Sequence, residues 1–255
     1  MQNDVTRQWA FLTPFVPGEI LTQQAQQVES LAMAGIFVPE IYSDPLMGLG
    51  YCAAVTKRAQ LATGIKIAFA GNPFETAMTA VDLDRLSGGR VVLGPGTSIT
   101  TWVEGFHGMP GYGKPAEHVR KTIQVIREVS AKSHIPGGLT CFEGKYHDHD
   151  WSTFLGAFAT PVRETIPIWV AANQTGLARL AGEVADGLST IQSTDRDTPP
   201  PTPATRWPRA CAKLAGTGRR STGTAGSGWR STTTARRRST MPRPRSPSTP
   251  ACAST

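Results

Sequence analysis

The sequence predicts an α/β fold: an incomplete TIM-like (β/α)8 barrel of about six strands, followed by a disordered tail. Two observations predict the body and a third limits it. From Trp9 to Thr190, short apolar runs alternate with apolar residues at helical spacing. The runs are apolar almost throughout, as strands of a parallel sheet covered by helices are. An open sheet holding a dinucleotide would carry Gly-x-Gly-x-x-Gly after its first strand. The nearest relative, Gly94–Pro95–Gly96, follows the fourth strand and lacks the third glycine. The alternation fits both a barrel and an open sheet, and the missing fingerprint favours the barrel.

Each element has its own signal. Trp9–Phe15 reads as a short buried strand, and Leu21, Ala25, Val28 and Ala32 then recur at helical spacing. Gly35–Glu40 is a second strand, with a helix from about Pro45 to Ala62, and Ile65–Ala70 is a third. Asn72–Pro73–Phe74–Glu75 starts a helix, with Asn72 as N-cap, Pro73 in the first helical position and Glu75 where a capping box places its acid. Phe74, Ala77, Met78 and Val81 form its buried stripe, and Gly88–Gly89 ends it. Arg90–Gly94 is a fourth strand, followed by a loop rich in Gly and Pro. Val119, Ile123 and Ile126 mark a helix, and Pro167–Ala172 is a fifth strand. Leu177, Leu180, Ala181 and Val184 line a further helix, and Asp186–Thr190 begins a sixth strand.

The chain divides sharply by charge. Residues 1–190 hold 14 Lys and Arg against 17 Asp and Glu, a net −3. Residues 191–255 hold 12 against 2, a net +10. The body therefore gives no electrostatic reason to expect nucleic acid. After Ile191 there is no Ile, Val, Phe or Tyr. Such a segment buries too little apolar surface to offset its chain entropy, so residues 191–255 are expected to be a disordered basic tail. The competing reading of that tail is a nucleic-acid-binding arm, whose contacts would weaken steeply with salt. No stretch reaches membrane-spanning length and no signal peptide is visible, so the expected location is cytoplasmic, without a membrane partner. Cys52 and Cys141 lack metal-type spacing. His147–Asp148–His149–Asp150 reads as a solvated hairpin rather than a metal cluster, because adjacent strand residues point to opposite faces.

Three stretches, Ala80–Ser98, Phe142–Asp150 and Pro167–Gly187, together resemble the bacterial-luciferase-like flavin and deazaflavin oxidoreductases. The resemblance runs from about Trp9 to Ser189 and is nearest to the actinobacterial branch that uses coenzyme F-420. It implies a TIM-like barrel with a bulge at the end of the third strand. It also implies hydride transfer between coenzyme F-420, or alternatively FMN, and a small organic substrate, in some members with O2 as in monooxygenases. Members are often homo-oligomeric.

In a parallel barrel the ligand lies at the C-terminal ends of the strands. Asn173, Gln174, Thr175 and Gly176 precede a helix whose first N–H groups are unpaired, a seat for a cofactor phosphate. By resemblance, Ala70 and Gly71 are the bulge with its non-prolyl cis peptide behind the cofactor ring, and Gly94, Gly96 and Thr97 flank the ring. Pro95 departs from the family's apolar residue between the two glycines. Glu40, at the end of the second strand, is a candidate acid or base. His107, in the loop after the fourth strand, is a candidate to reach the substrate.

The family's barrel needs two more strands after Ser189, and the sequence shows none. Read one base out of frame, the codons from Ser239 onward permit Ile-Asp-Asp-Ala-x-Pro-Thr-Ile-Ala-Phe-Tyr-Ala-Gly-Val-Arg-Gln-Tyr. That is an amphipathic segment of the kind the family carries there. The tail is accordingly expected to be a frameshifted translation, and the product inactive.

Overall fold

The computed structural model describes residues 8–109, 113–153, 155–191 and 220–223. Parallel strands alternate with helices: β1 (Trp9–Phe11), α1 (Gly18–Ser30), β2 (Gly35–Val38), α2 (Pro45–Val55), β3 (Gln60–Thr63), β4 (Lys66–Ile67), α3 (Pro73–Ser87), β5 (Val91–Val92) and β6 (Pro95–Gly96). A π-helical turn, Thr101–Phe106, leads to α4 (Pro115–Lys132). A small hairpin of β7 (Cys141–Phe142) and β8 (His149–Asp150) precedes β9 (Trp169–Ala171), α5 (Thr175–Val184), β10 (Gly187–Ile191) and β11 (Arg220–Gly223).

The main sheet runs β1-β2-β3-β5, and a parallel bridge between Leu93 and Ile168 carries it on to β9-β10-β11. This is the parallel β/α order of a TIM-like barrel. The strands are short because each is one stave of a curved wall, and successive staves contribute side chains to a shared interior. One interior layer is visible as Trp9, Phe37, Ala62, Val92 and Trp169 from five consecutive strands. Trp9 lies 4.7 Å from Phe37 and 5.2 Å edge-on from Trp169, ring centroid to centroid. The opposite strand faces, with Ile36, Leu61, Val91 and Val170, pack against the helices in the larger core.

Three expectations are corrected. The third strand is not Ile65–Ala70 but Gln60–Thr63, which had been assigned to the end of the preceding helix. Helix α2 stops at Val55, where Arg90 donates from Nη2 to the carbonyls of Ala53 (3.0 Å) and Thr56 (3.1 Å). The non-prolyl cis peptide is Gly64–Ile65, not Ala70–Gly71. Gly64 is required there because a Cβ would come within 2.8 Å of the Phe37 ring. By Ala70 the chain has left the wall in a turn, with Ala70 N–H donating to the Ile67 carbonyl at 3.2 Å.

The third correction concerns the tail. Residues 220–223 form a strand that pairs in parallel with β10, Leu188 opposite Arg220 through Ile191 opposite Gly223. A free edge offers backbone donors and acceptors to any extended segment, and a ladder needs no apolar side chain. The rest of the tail lies outside the described residues.

Candidate functional site

The C-terminal ends of the strands form one mouth, and the sequence dictates much of it locally. After Thr63 the cis peptide turns the chain, and β4 pairs with β6 rather than continuing the wall. Lys66 N–H donates to the Gly94 carbonyl (2.8 Å), and Ala68 N–H donates to that of Gly96 (2.9 Å). Pro95 is tolerated because the bonds of this parallel ladder run through Gly94 and Gly96 on its strand, so the missing N–H of residue 95 is not one of its donors. A Cβ on Gly94 would lie 2.0 Å from the Thr63 carbonyl oxygen, and one on Gly96 would lie 2.8 Å from Ile65 Cδ1. Both glycines are therefore fixed by close strand approach. Thr97 is half-buried beside them.

Glu40 closes β2 but is not a free carboxylate. Its Oε1 accepts from Lys66 Nζ at 2.9 Å, and its Oε2 accepts from the Ile67 N–H. Lys66 also donates to Asp44 Oδ2 at 2.7 Å, while Asp44 Oδ1 caps α2 by accepting from Leu46 N–H at 2.8 Å. Burial by itself would lower the Lys66 pKa. The hydrogen bond to Asp44 and the charge of Glu40 outweigh it, so the ammonium is held above the ordinary lysine value. Lys66 was not singled out in the sequence. Its signal was a lysine inside an apolar run, which needs buried partners.

His107 ends the π-helical turn, half-buried, with its backbone N–H on the Trp102 carbonyl at 3.1 Å. The structure joins Glu40 to Lys66 and Asp44, not to His107. The turn also carries Trp102 and Phe106, 4.1 Å apart edge-on. Trp102 meets Tyr42 at 5.6 Å, and Tyr42 meets Phe15 at 5.9 Å. This row of rings from three loops was missed, because no periodic pattern links residues in separate loops.

On the far side, Asn173, Gln174, Thr175 and Gly176 are all exposed at the amino end of α5. Gln174 occupies the N-cap without a side-chain cap hydrogen bond. A Cβ on Gly176 would meet nothing within 4 Å. Gly71 lines a small space with Lys66, Ile67, Thr76, Pro95 and Thr122.

The histidine hairpin is not simply solvated. His147 and His149 are half-buried, and His118 of α4 stacks on Tyr146 at 4.4 Å. His147 stacks toward His149 at 6.2 Å, and His149 on Trp151 at 4.9 Å. His147 Nε2 is 3.0 Å from Thr122 Oγ1. Burial first, then the neighbouring His118 and His149, push the His147 pKa down to about 4. Among the described residues, no group of three or more His, Cys, Asp or Glu could hold a metal ion. No helix among them is long and apolar enough to cross a membrane.

A sequence profile of the luciferase-like monooxygenase family matches residues 5–198. The chain belongs to that family. It is 33% identical over 166 residues to the uncharacterized protein Rv1360 of Mycobacterium tuberculosis, covering 64% of this chain and 47% of that protein. It is 31% identical over 148 residues to the F-420-dependent glucose-6-phosphate dehydrogenase of Gordonia bronchialis, covering 55% of this chain and 41% of that enzyme. The chain thus spans about half the length of the curated relatives it matches. Among solved structures, it superposes on a type II Baeyer–Villiger monooxygenase, the oxygenating constituent of 3,6-diketocamphane monooxygenase of Pseudomonas putida, in complex with FMN. There the TM-score is 0.60 at 19% identity, over 74% of this chain and 58% of that one. A curated relative is thus an F-420-dependent dehydrogenase, and a protein that shares the fold binds FMN.

Proposed function

We propose that the mouth binds coenzyme F-420, with FMN as the alternative, and that the family's chemistry here is hydride transfer to or from a small organic substrate. The observation that carries this reading is the exposed amino end of α5, where Gln174 makes no side-chain cap hydrogen bond and a Cβ on Gly176 would meet nothing within 4 Å. The positive end of the helix dipole there suits a phosphate. When bound, F-420 or FMN would supply a tricyclic ring that carries the hydride.

The chain's own residues would then do three things. Asn173, Gln174, Thr175 and Gly176 would hold the phosphate. Gly64–Ile65, with Gly94, Gly96 and Thr97, would form the surface against which a flat ring lies; this replaces Ala70 and Gly71. Glu40 would act by positioning, since both of its oxygens already accept hydrogen bonds and fix Lys66 and the turn into β4. His107, whose imidazole has no ion pair or hydrogen bond among the described residues, would exchange a proton with the substrate.

The relation to the Gordonia enzyme, and to the putative coenzyme F-420-dependent oxidoreductase Rv3520c of Mycobacterium tuberculosis (32% identical over 160 residues), favours F-420 over FMN. We further infer that the tail is out of frame from a point within codons 187–200, and that the chain as it stands does not turn over. Sequencing across those codons in the gene tests the frame: the same tail encoded without an insertion or deletion in an independent isolate overturns it. For the cofactor, both this chain and a frame-restored form are titrated with F-420 and with FMN by fluorescence quenching. The restored chain is expected to bind F-420 the tighter, and to bind it at least about tenfold better than the unrestored chain, a difference of about 1.4 kcal/mol. Preference for FMN overturns the cofactor reading, and equal binding by both chains overturns the inactivity.

A further inference from the structure

Four aromatic side chains stand around one side of the mouth. Phe15 follows β1, Tyr42 follows β2, and Trp102 and Phe106 lie on the π-helical turn after β6. Phe15, Tyr42 and Phe106 are 53%, 71% and 68% exposed. Consecutive rings meet at 70°, 88° and 82°. Edge-to-face contacts of this kind fix the rings against one another while leaving ring faces open. Ile99 and Met109 of the same loop are also exposed, and none of these six side chains carries a charge.

An exposed apolar patch at a strand-end cleft marks a ligand wall more often than a random surface. Here it adjoins the Lys66–Glu40–Asp44 cluster, where one ammonium is shared by two carboxylates and one negative charge is left over. The cluster therefore offers no free cation and repels an anionic substrate. Rings with open faces beside it select for an uncharged, flat, apolar molecule over an anion.

We propose that Phe15, Tyr42, Trp102 and Phe106 determine substrate class, and that the class is uncharged ring compounds of low polarity. The proposal rests on the reading of the mouth as the active site and adds to it the identity of the wall. It excludes sugar phosphates and carboxylates as the preferred substrates, because no unpaired cation lies on this wall among the described residues.

The test uses N-phenyl-1-naphthylamine, a neutral fluorescent ring compound, on the 255-residue chain and on its frame-restored form. Both forms share residues 15–109. Saturable binding is expected, weakened at least about tenfold in Phe106→Ala and in Tyr42→Ala. Leu86→Ser, an exposed apolar position on α3 away from the mouth, is the control and should leave binding unchanged. A charged analogue, 1-naphthyl phosphate, should compete poorly. Circular dichroism confirms that each variant folds, which the exposure of both rings favours. Probe affinity that is the same in all variants, or better competition by the phosphate, overturns the proposal. So does a fall in sedimentation coefficient in Phe106→Ala, since the wall would then be covered by a second copy of the chain. F-420 titration of the same variants separates the two readings. Cofactor binding that persists while probe affinity ignores the wall refutes the wall alone. Cofactor binding that is absent throughout refutes the site.

Discussion

The two ends of the barrel treat their polar groups in opposite ways. At the end where strands begin, charges are locked to backbone. Arg163 holds Asp84 through Nε (2.8 Å) and Nη2 (2.6 Å), and Asp84 Oδ1 accepts from Val91 N–H at 3.0 Å. Glu29 accepts from the N–H groups of Lys57, Arg58 and Ala59. Burial would raise its pKa, but those three donors bring it below the usual carboxylate range. Asp186 accepts from Ile168 N–H at 2.9 Å and from Arg127. At the other end, rings are exposed and Gln174 begins a helix without a side-chain cap hydrogen bond. The difference teaches that the stretch Ala80–Ser98 mixes two kinds of residue. Asp84 and Arg90 hold the fold, while Gly94, Gly96 and Thr97 shape the mouth.

If that contrast holds, Asp84→Asn should be the most damaging change. It removes the charge that pairs with Arg163 and puts an NH2 where a buried carboxylate oxygen accepted, at a cost of about 3–5 kcal/mol. Urea denaturation should show it, with the midpoint falling at unchanged slope. A midpoint shift no larger than that of a surface change would erase the distinction between the ends. Lys66→Met comes next, at about 3 kcal/mol, because the Glu40 side chain is 9% exposed and would lose its counter-charge. Asp44, half exposed, can turn to water. If Glu40 were a free catalytic acid, stability would hardly respond.

A smaller effect follows from the histidine row. The folded-state pKa of His147 lies below the ordinary 6.5, at about 4, so the unfolded chain binds more protons between those values. Its contribution is fully present above about pH 6.5 and is lost as the pH falls toward about 4. Thermal unfolding across that window should show a falling Tm, and His147→Phe should flatten the slope. The smallest effect on stability belongs to Thr175→Pro. Proline suits the first helical position, and Gln174 already has the extended backbone that precedes proline (φ −125°, ψ 152°). Stability should change by less than about 0.5 kcal/mol. F-420 affinity should fall about tenfold, because one N–H to a charged group is worth about 1.5–3 kcal/mol. Unchanged affinity would mean that the phosphate sits elsewhere.

The legible parts of the sequence were those written in local chemistry. Asn72 accepts from Phe74 N–H at 2.8 Å, Pro73 opens α3, and Gly88 closes it in the left-handed conformation at φ 71°. These signals act over a few residues and survive without knowledge of the fold. The third strand was misplaced because Ile65–Ala70 is the more apolar run, yet Gln60–Thr63 has the neighbours on both sides. Strand identity here is decided by pairing, which is long-range. Glu40 was legible from its position but its partner was not, because the lysine that holds it is 26 residues away. The rings of Phe15, Tyr42, Trp102 and Phe106 converge only once the strands have aligned their loops.

The strand Arg220–Gly223 carries a consequence for what the rim of β10 can accept. A parallel ladder reads only peptide groups, so this rim is a template indifferent to side-chain identity. Any extended segment tethered close by can dock on it, wherever it does not need a proline to donate.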